Sequence, residues 1–83
     1  MEILFTFKNT HYVMLAEKVL LRAGVNVSVL PLPPQISAGC GLCIGMAADE
    51  REIAARALAE NNVTEFEVYT KMLENGRIVY RDV

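Results

Sequence analysis

The sequence predicts an α+β sandwich, two helices packed on one face of an antiparallel sheet, and three observations carry that reading. Apolar residues recur with a period of two in several short segments, as in half-buried strands. Two longer segments carry them at helical spacing, each opened by polar residues that can cap a helix and closed by Gly or Asn. Near the C-terminus Asn75-Gly76 stands between two alternating runs, the strongest short hairpin signal.

The elements follow in order. Ile3, Phe5 and Phe7 alternate with polar neighbours as the first strand. Asn9 and Thr10 offer oxygens to cap a helix from His11 to Ala23, with Tyr12, Leu15, Ala16, Val19, Leu20 and Ala23 at helical spacing. Gly24 ends it in the left-handed conformation. Val25, Val27 and Val29 form a second strand, stopped by Pro31. The segment from Pro31 to Gly39 has neither period and holds Pro31, Pro33 and Pro34, so a stiff, extended surface connection is expected. Leu42, Ile44 and Met46 alternate with Gly41, Cys43 and Gly45 as a third strand whose second face bears almost no side chain; a helix starting at Gly41 is the competing reading. Asp49 and Glu52 fit a capping box for a second helix, with Ile53, Ala54, Ala57 and Leu58 as its apolar face and Asn61 or Asn62 at its end. Phe66 to Met72 reads as a fourth strand, the hairpin falls around 74–77, and Ile78 to Tyr80 returns as a fifth, edge strand. Residues 1–83 thus form a single domain, a ferredoxin-like βαββαβ sandwich of expected strand order 4-1-3-2 with an added C-terminal edge strand.

Composition narrows the functions. Eighty-three residues suffice for one domain, and eight Lys plus Arg against ten Asp plus Glu leave a net charge of −2, which offers no basic field for nucleic acid or an anionic membrane. Apolar stretches fall short of the roughly 20 residues of a membrane helix, and no signal segment opens the chain, so a soluble, cytoplasmic protein is expected. A core of this size is marginal, which keeps a homodimer in reserve.

Chemistry concentrates in Cys40-Gly41-Leu42-Cys43, the only two cysteines. A disulfide between them would close too small a loop to staple the fold, so the spacing points to thiol chemistry, a metal, or two small buried hydrophobes. Zinc usually takes four ligands, and with His11 as the only histidine the set could be completed only across a dimer or with an acid; no metal and no cofactor is expected. Haem attachment would need His where Ile44 stands. A dithiol of the thioredoxin type suits the spacing, but that motif belongs at a helix start in a parallel fold.

The expected topology brings the loop after the first strand, with Thr10 and His11, to the same end of the sheet as Ser37 to Cys40. A helix N-terminus beside a thiol favours the thiolate, the reactive form. Gly39 and Gly41 leave the sulfur uncovered and let backbone approach a bound group. The candidate site is therefore Cys40 and Cys43 as reactive thiols, with Gly39, Gly41, Ser37, Thr10 and His11 as binding residues. His11 reads as a solvated side chain or as a proton donor near Cys40. Met14 and Leu21, beside the polar stripe of the first helix, hint at an interface.

Phe5-Thr6-Phe7 with Thr10-His11, Ala16-Glu17-Lys18-Val19-Leu20 with Gly24-Val25, and Pro31-x-Pro33-x-x-Ile36-Ser37 leading to Cys40-Gly41-Leu42 resemble the putative selenium/sulfur carrier protein-like family of small bacterial domains, over about residues 3–69. That resemblance implies a cysteine, Cys40, that holds sulfur or selenium as a persulfide or selenosulfide between donor and acceptor proteins. Two positions depart from the family pattern: Pro34 stands where a basic residue is usual, and Cys43 where a small or apolar one is. Cys43 could resolve a persulfide on Cys40 or lie idle on the open face of the third strand. A dithiol redox module and a non-catalytic module that binds a partner through the sheet face or its edge strand are the competing functions.

Overall fold

The computed structural model describes residues 1–37 and 39–83. Its elements are β1 (Glu2–Thr6), α1 (Thr10–Arg22), β2 (Ser28–Pro31), β3 (Leu42–Ala47), a 3-10 turn (Ala48–Glu50), α2 (Arg51–Glu60), β4 (Glu67–Glu74) and β5 (Arg77–Asp82). The five strands form one antiparallel sheet in the order β2-β3-β1-β4-β5. Read from β4, the first four strands run 4-1-3-2, and β5 extends the β4 side. This α+β arrangement is compatible with a ferredoxin-like fold.

Strand parity sorts the side chains into two layers. Ile3, Phe5, Phe7, Ile44 and Met46 face the helices and pack with Val13, Ala16 and Leu20 of α1 and Ala54, Ala57 and Leu58 of α2. Phe66, just before β4, stacks on Phe5 with ring centroids 4.8 Å apart. Glu2, Leu4, Cys43 and Tyr69 point to the other face.

Both helices stop in the same way. In α1 the Gly24 N–H donates to Leu21 O and the Val25 N–H to Leu20 O; in α2 the Asn62 N–H donates to Ala59 O and the Val63 N–H to Leu58 O. Each is a Schellman motif with its left-handed residue, Gly24 or Asn62, and its apolar clasp, Leu20 with Val25 and Leu58 with Val63. This corrects the second strand. Val25 is consumed by the helix stop and buried, so β2 begins only at Ser28 and takes in Pro31, tolerated there because β2 is an edge.

Three further expectations change. Asn9 caps α1, accepting from the Tyr12 N–H at 3.1 Å, but α2 has no side-chain cap. The Asp49–Glu52 capping box does not form, because the 3-10 turn shifts the helix start and Glu52 pairs instead with Arg56 at 3.2 Å. Ile53 remains half-exposed rather than joining the apolar face. The alternative helix at Gly41 is absent, since Leu42–Ala47 pairs on both sides as a central strand.

The hairpin turn is formed by Asn75 and Gly76, both with positive φ (51° and 76°), as a two-residue turn of this type requires. Gly76→Ala therefore forces an L-residue into the left-handed region. It should cost about 1 kcal/mol, read as a lower urea midpoint at unchanged m.

Candidate thiol site

The segment from Pro31 to Cys40 leaves the β2 edge and returns to the sheet at the start of β3; Ala38 lies outside the described residues. Its prolines were expected to hold it extended on the surface. They instead fold it back: Pro34 sits second in a turn closed by the Ile36 N–H on Pro33 O at 3.0 Å, a position that the fixed proline φ favours. The Leu32 N–H donates to Gly41 O at 2.9 Å and ties the two ends of the loop together. Ile36, 5% exposed, enters a small second core with Leu4 and Cys43, rimmed by Leu30, Leu32, Tyr69 and Tyr80. Nothing in the periodicity of a proline-rich segment marks one isoleucine as a plug, which is why the sequence left this layer open.

The second face of β3 is therefore covered, and the expectation that Cys43 lies on an open face is overturned. Cys43 is fully buried, with its Sγ 3.8 Å from Pro31 O. Gly45, next on that face, has no room for a Cβ, which would come within 2.7 Å of Leu30 Cδ1 and 3.0 Å of Glu2 Oε2.

Cys40 is half-buried and packs against the helix-side core, with Leu42. Its Sγ lies 3.2 Å from Leu42 O and 3.6 Å from Phe7 O. Both partners are carbonyl acceptors, so an S–H at this position can donate to either of them. The loop meets β1 here so closely that a Cβ on Gly39 would land on the Lys8 carbonyl oxygen. Gly41 has φ +72°, which turns the chain from Cys40 into β3. Both glycines are thus required by backbone geometry.

Of the remaining predicted binding residues, Ser37, Thr10 and His11 are exposed. Thr10 and His11 open α1 directly after the Lys8 and Asn9 segment that adjoins Gly39, and the His11 ring lies edge-on to Tyr12 at 5.6 Å. No hydrogen bond joins Ser37, Thr10 or His11 to Cys40 among the described residues. Beside Gly39 a shallow pocket of about 330 Å³ is lined by Thr6, Phe7, Lys8, Glu65, Phe66 and Glu67. Sequence reasoning missed Lys8, whose Nζ lies 3.3 Å from Glu65 Oε2 and 5.4 Å from the Tyr12 ring centroid. Its position directly after the first strand was the available signal. Among the described residues no three of His, Cys, Asp and Glu gather as a metal site.

A family model described as putative Se/S carrier protein-like matches residues 2–70. The chain belongs to that family. The match spans both helices and β1 to β3 and ends within β4, so the whole Cys40 loop lies inside the carrier-family region and β5 outside it. Neither the curated proteins nor the solved structures include a match to it. No helix is long and apolar enough to cross a membrane among the described residues.

The two thiols of this family member differ in kind. Burial, and then the Glu2 carboxylate and Cys40, push the Cys43 thiol from 9.0 up to about 11, against a smaller opposing pull from Lys71. The folded chain thus holds this proton more tightly than the unfolded one. The resulting stability is fully present below about pH 9 and is lost as pH rises through about 11. Unfolding midpoints followed from pH 8 to about 11 should fall more steeply for the wild type than for Cys43→Ala, the difference being the Cys43 contribution.

The loop seat predicts its own signature. Ile36→Ala should lower stability by about 2 kcal/mol, toward the low end for such truncations because the seat lies at the surface of a small cluster. It should also speed alkylation of Cys43 at neutral pH, counted by mass spectrometry, while leaving the rate at Cys40 within about twofold.

Proposed function

We propose that the chain carries sulfur or selenium on Cys40, as a persulfide or selenosulfide, between a donor and an acceptor protein. One observation supports this reading above the rest: of the two thiols only Cys40 is partly exposed, and it stands in the glycine-flanked loop that the carrier-family region contains. In the loading step the Cys40 thiolate attacks the outer sulfur of a donor persulfide. The new S–S bond forms as the donor's S–S bond breaks, and the donor leaves as a thiolate. In unloading, an acceptor nucleophile takes the terminal sulfur and Cys40 departs as the thiolate. No net oxidation occurs.

Loading requires the Cys40 proton to leave, and Lys8, whose backbone carbonyl adjoins Gly39, and His11, in the first turn of α1, are the basic residues at that end of the sheet. Ser37, Gly39 and Gly41 are the backbone against which a docked donor would close. A thiol that must stay reduced between encounters fits the cytoplasm.

The dithiol alternative is less well supported. Cys43 is fully buried and on the sheet face opposite the core against which Cys40 packs, so a Cys40–Cys43 disulfide needs the first residues of β3 to leave the sheet. In the carrier reading Cys43 is a small apolar residue.

Incubation with a protein persulfide donor or a selenosulfide should add about 32 or 79 Da to the Cys40 peptide, the mass of one sulfur or selenium. Cys40→Ser should abolish the adduct and Cys43→Ala should retain at least half of it. An adduct that survives Cys40→Ser, or that requires Cys43, refutes the assignment.

A further inference from the structure

The two edges of the sheet are built differently. β2 has four residues and ends on Pro31, which blunts it against further pairing. β5 has six residues, Arg77–Asp82, without a proline, and lies beyond the carrier-family region. Beside it on the face away from the helices, Leu73 and Ile78 oppose one another and are 74% and 53% exposed.

The phase of the hairpin fixes which backbone groups β5 offers. The two-residue turn makes Glu74 and Arg77 the first hydrogen-bonded pair. The Val83 N–H on Val68 O, at 3.0 Å, continues the same phase. The groups of Arg77, Val79 and Arg81 therefore face β4. Those of Ile78, Tyr80 and Asp82 face outward, a set of three residues centred on Tyr80.

We propose that β5 pairs antiparallel with β5 of a second copy of this chain, about a two-fold axis through Tyr80, giving a continuous ten-stranded sheet. The edge is complementary to a copy of itself. Centred on Tyr80, the outward groups of Ile78 meet those of the partner's Asp82, Tyr80 meets the partner's Tyr80, and every outward donor and acceptor of β5 is satisfied. Arg77 then stands across from the partner's Val83 and Arg81 across from the partner's Val79. Neighbouring registers, centred on Ile78, Val79 or Arg81, also keep the helices of both copies on one side, but each leaves at least one of the three outward residues without an outward residue opposite, and the one centred on Val79 in addition sets Arg77 against the partner's Arg81 twice. Cys40, at the start of β3 and three strands from β5, stays clear of the contact. The pairing stands apart from the carrier chemistry and does not depend on it.

Sedimentation across a concentration series tests the pairing. The wild-type chain should shift from monomer to dimer below about 1 mM. Tyr80→Pro removes an outward N–H that the monomer does not use, and should leave a folded monomer by circular dichroism. Whether or not that variant folds, the register is read by mild oxidation of mixed chains. Val79→Cys chains should crosslink to Arg81→Cys chains, mapped by mass spectrometry, and not to one another, since only the first pair lies within disulfide reach. A wild-type chain monomeric throughout, a dimer that persists in folded Tyr80→Pro, or a preferred crosslink between two Val79→Cys chains overturns the proposal.

Discussion

Everything in this domain leans on β1. It is the central strand, paired with β3 on one side and β4 on the other, and each residue from Ile3 to Phe7 is buried. Ile3, Phe5 and Phe7 supply the floor of the helix-side core, while Leu4 supplies that of the small core under the proline loop. Neither layer exists without this strand. Where β1 ends, the Phe7 carbonyl accepts from Cys40 and the Lys8 carbonyl fills the space beside Gly39. The position of the thiol is thus fixed by the end of the most deeply buried element, although the loop that carries it belongs to the surface.

The same parity that divides the layers divides the cysteines. Ile44 faces the helices with Cys40 packing on that side, and Cys43 faces away. A slip of one residue between β3 and β1 would bring Cys43 among the helices and turn Ile44 out, so register is held by the whole apolar set of the strand rather than by the thiols. Gly41 allows Cys40 to turn out of the strand line at the point where the ladder begins. Spacing that suggests a dithiol in one dimension is, on a pleated sheet, a means of keeping two thiols apart.

The sequence carried the helices and the hairpin because their signals are local: Asn9 as a cap, Gly24 and Asn62 as stops, and Asn75-Gly76 as a turn act within a few residues of themselves. It misled where a residue served two possible elements. Val25 continues the alternation of the second strand, yet its backbone completes the stop of α1, and the hydrogen bonds of that motif outweigh the pattern. The Asp49 and Glu52 spacing fits a capping box, yet the helix starts later because the 3-10 turn takes up Ala48–Glu50. The place of Cys40 between two glycines at the end of the proline loop was legible, and it is half-buried there. The burial of Cys43 was not, because it depends on Ile36 and Leu32 closing over it from a segment with no period to read.

That closure explains how one small chain can hold a partly exposed thiol and a fully buried one three residues apart. A loop that meets partners in turn cannot be deeply buried, and one left free would pay ordering entropy at each encounter. Ile36 offers a middle course: with Leu32 it anchors the loop, while Ser37, Gly39 and Gly41 stay exposed. The floor under the anchor is Leu4 and Cys43, and Cys43, held protonated by burial beside Glu2, behaves there as a small apolar residue. The price of the arrangement is that the seat of the loop and the shielding of Cys43 are the same contact. Pulling the loop far enough to free Ile36 would also uncover the second thiol, so Cys40 is reached without exposing Cys43 only from the exposed side of the loop, with Ile36 left in place.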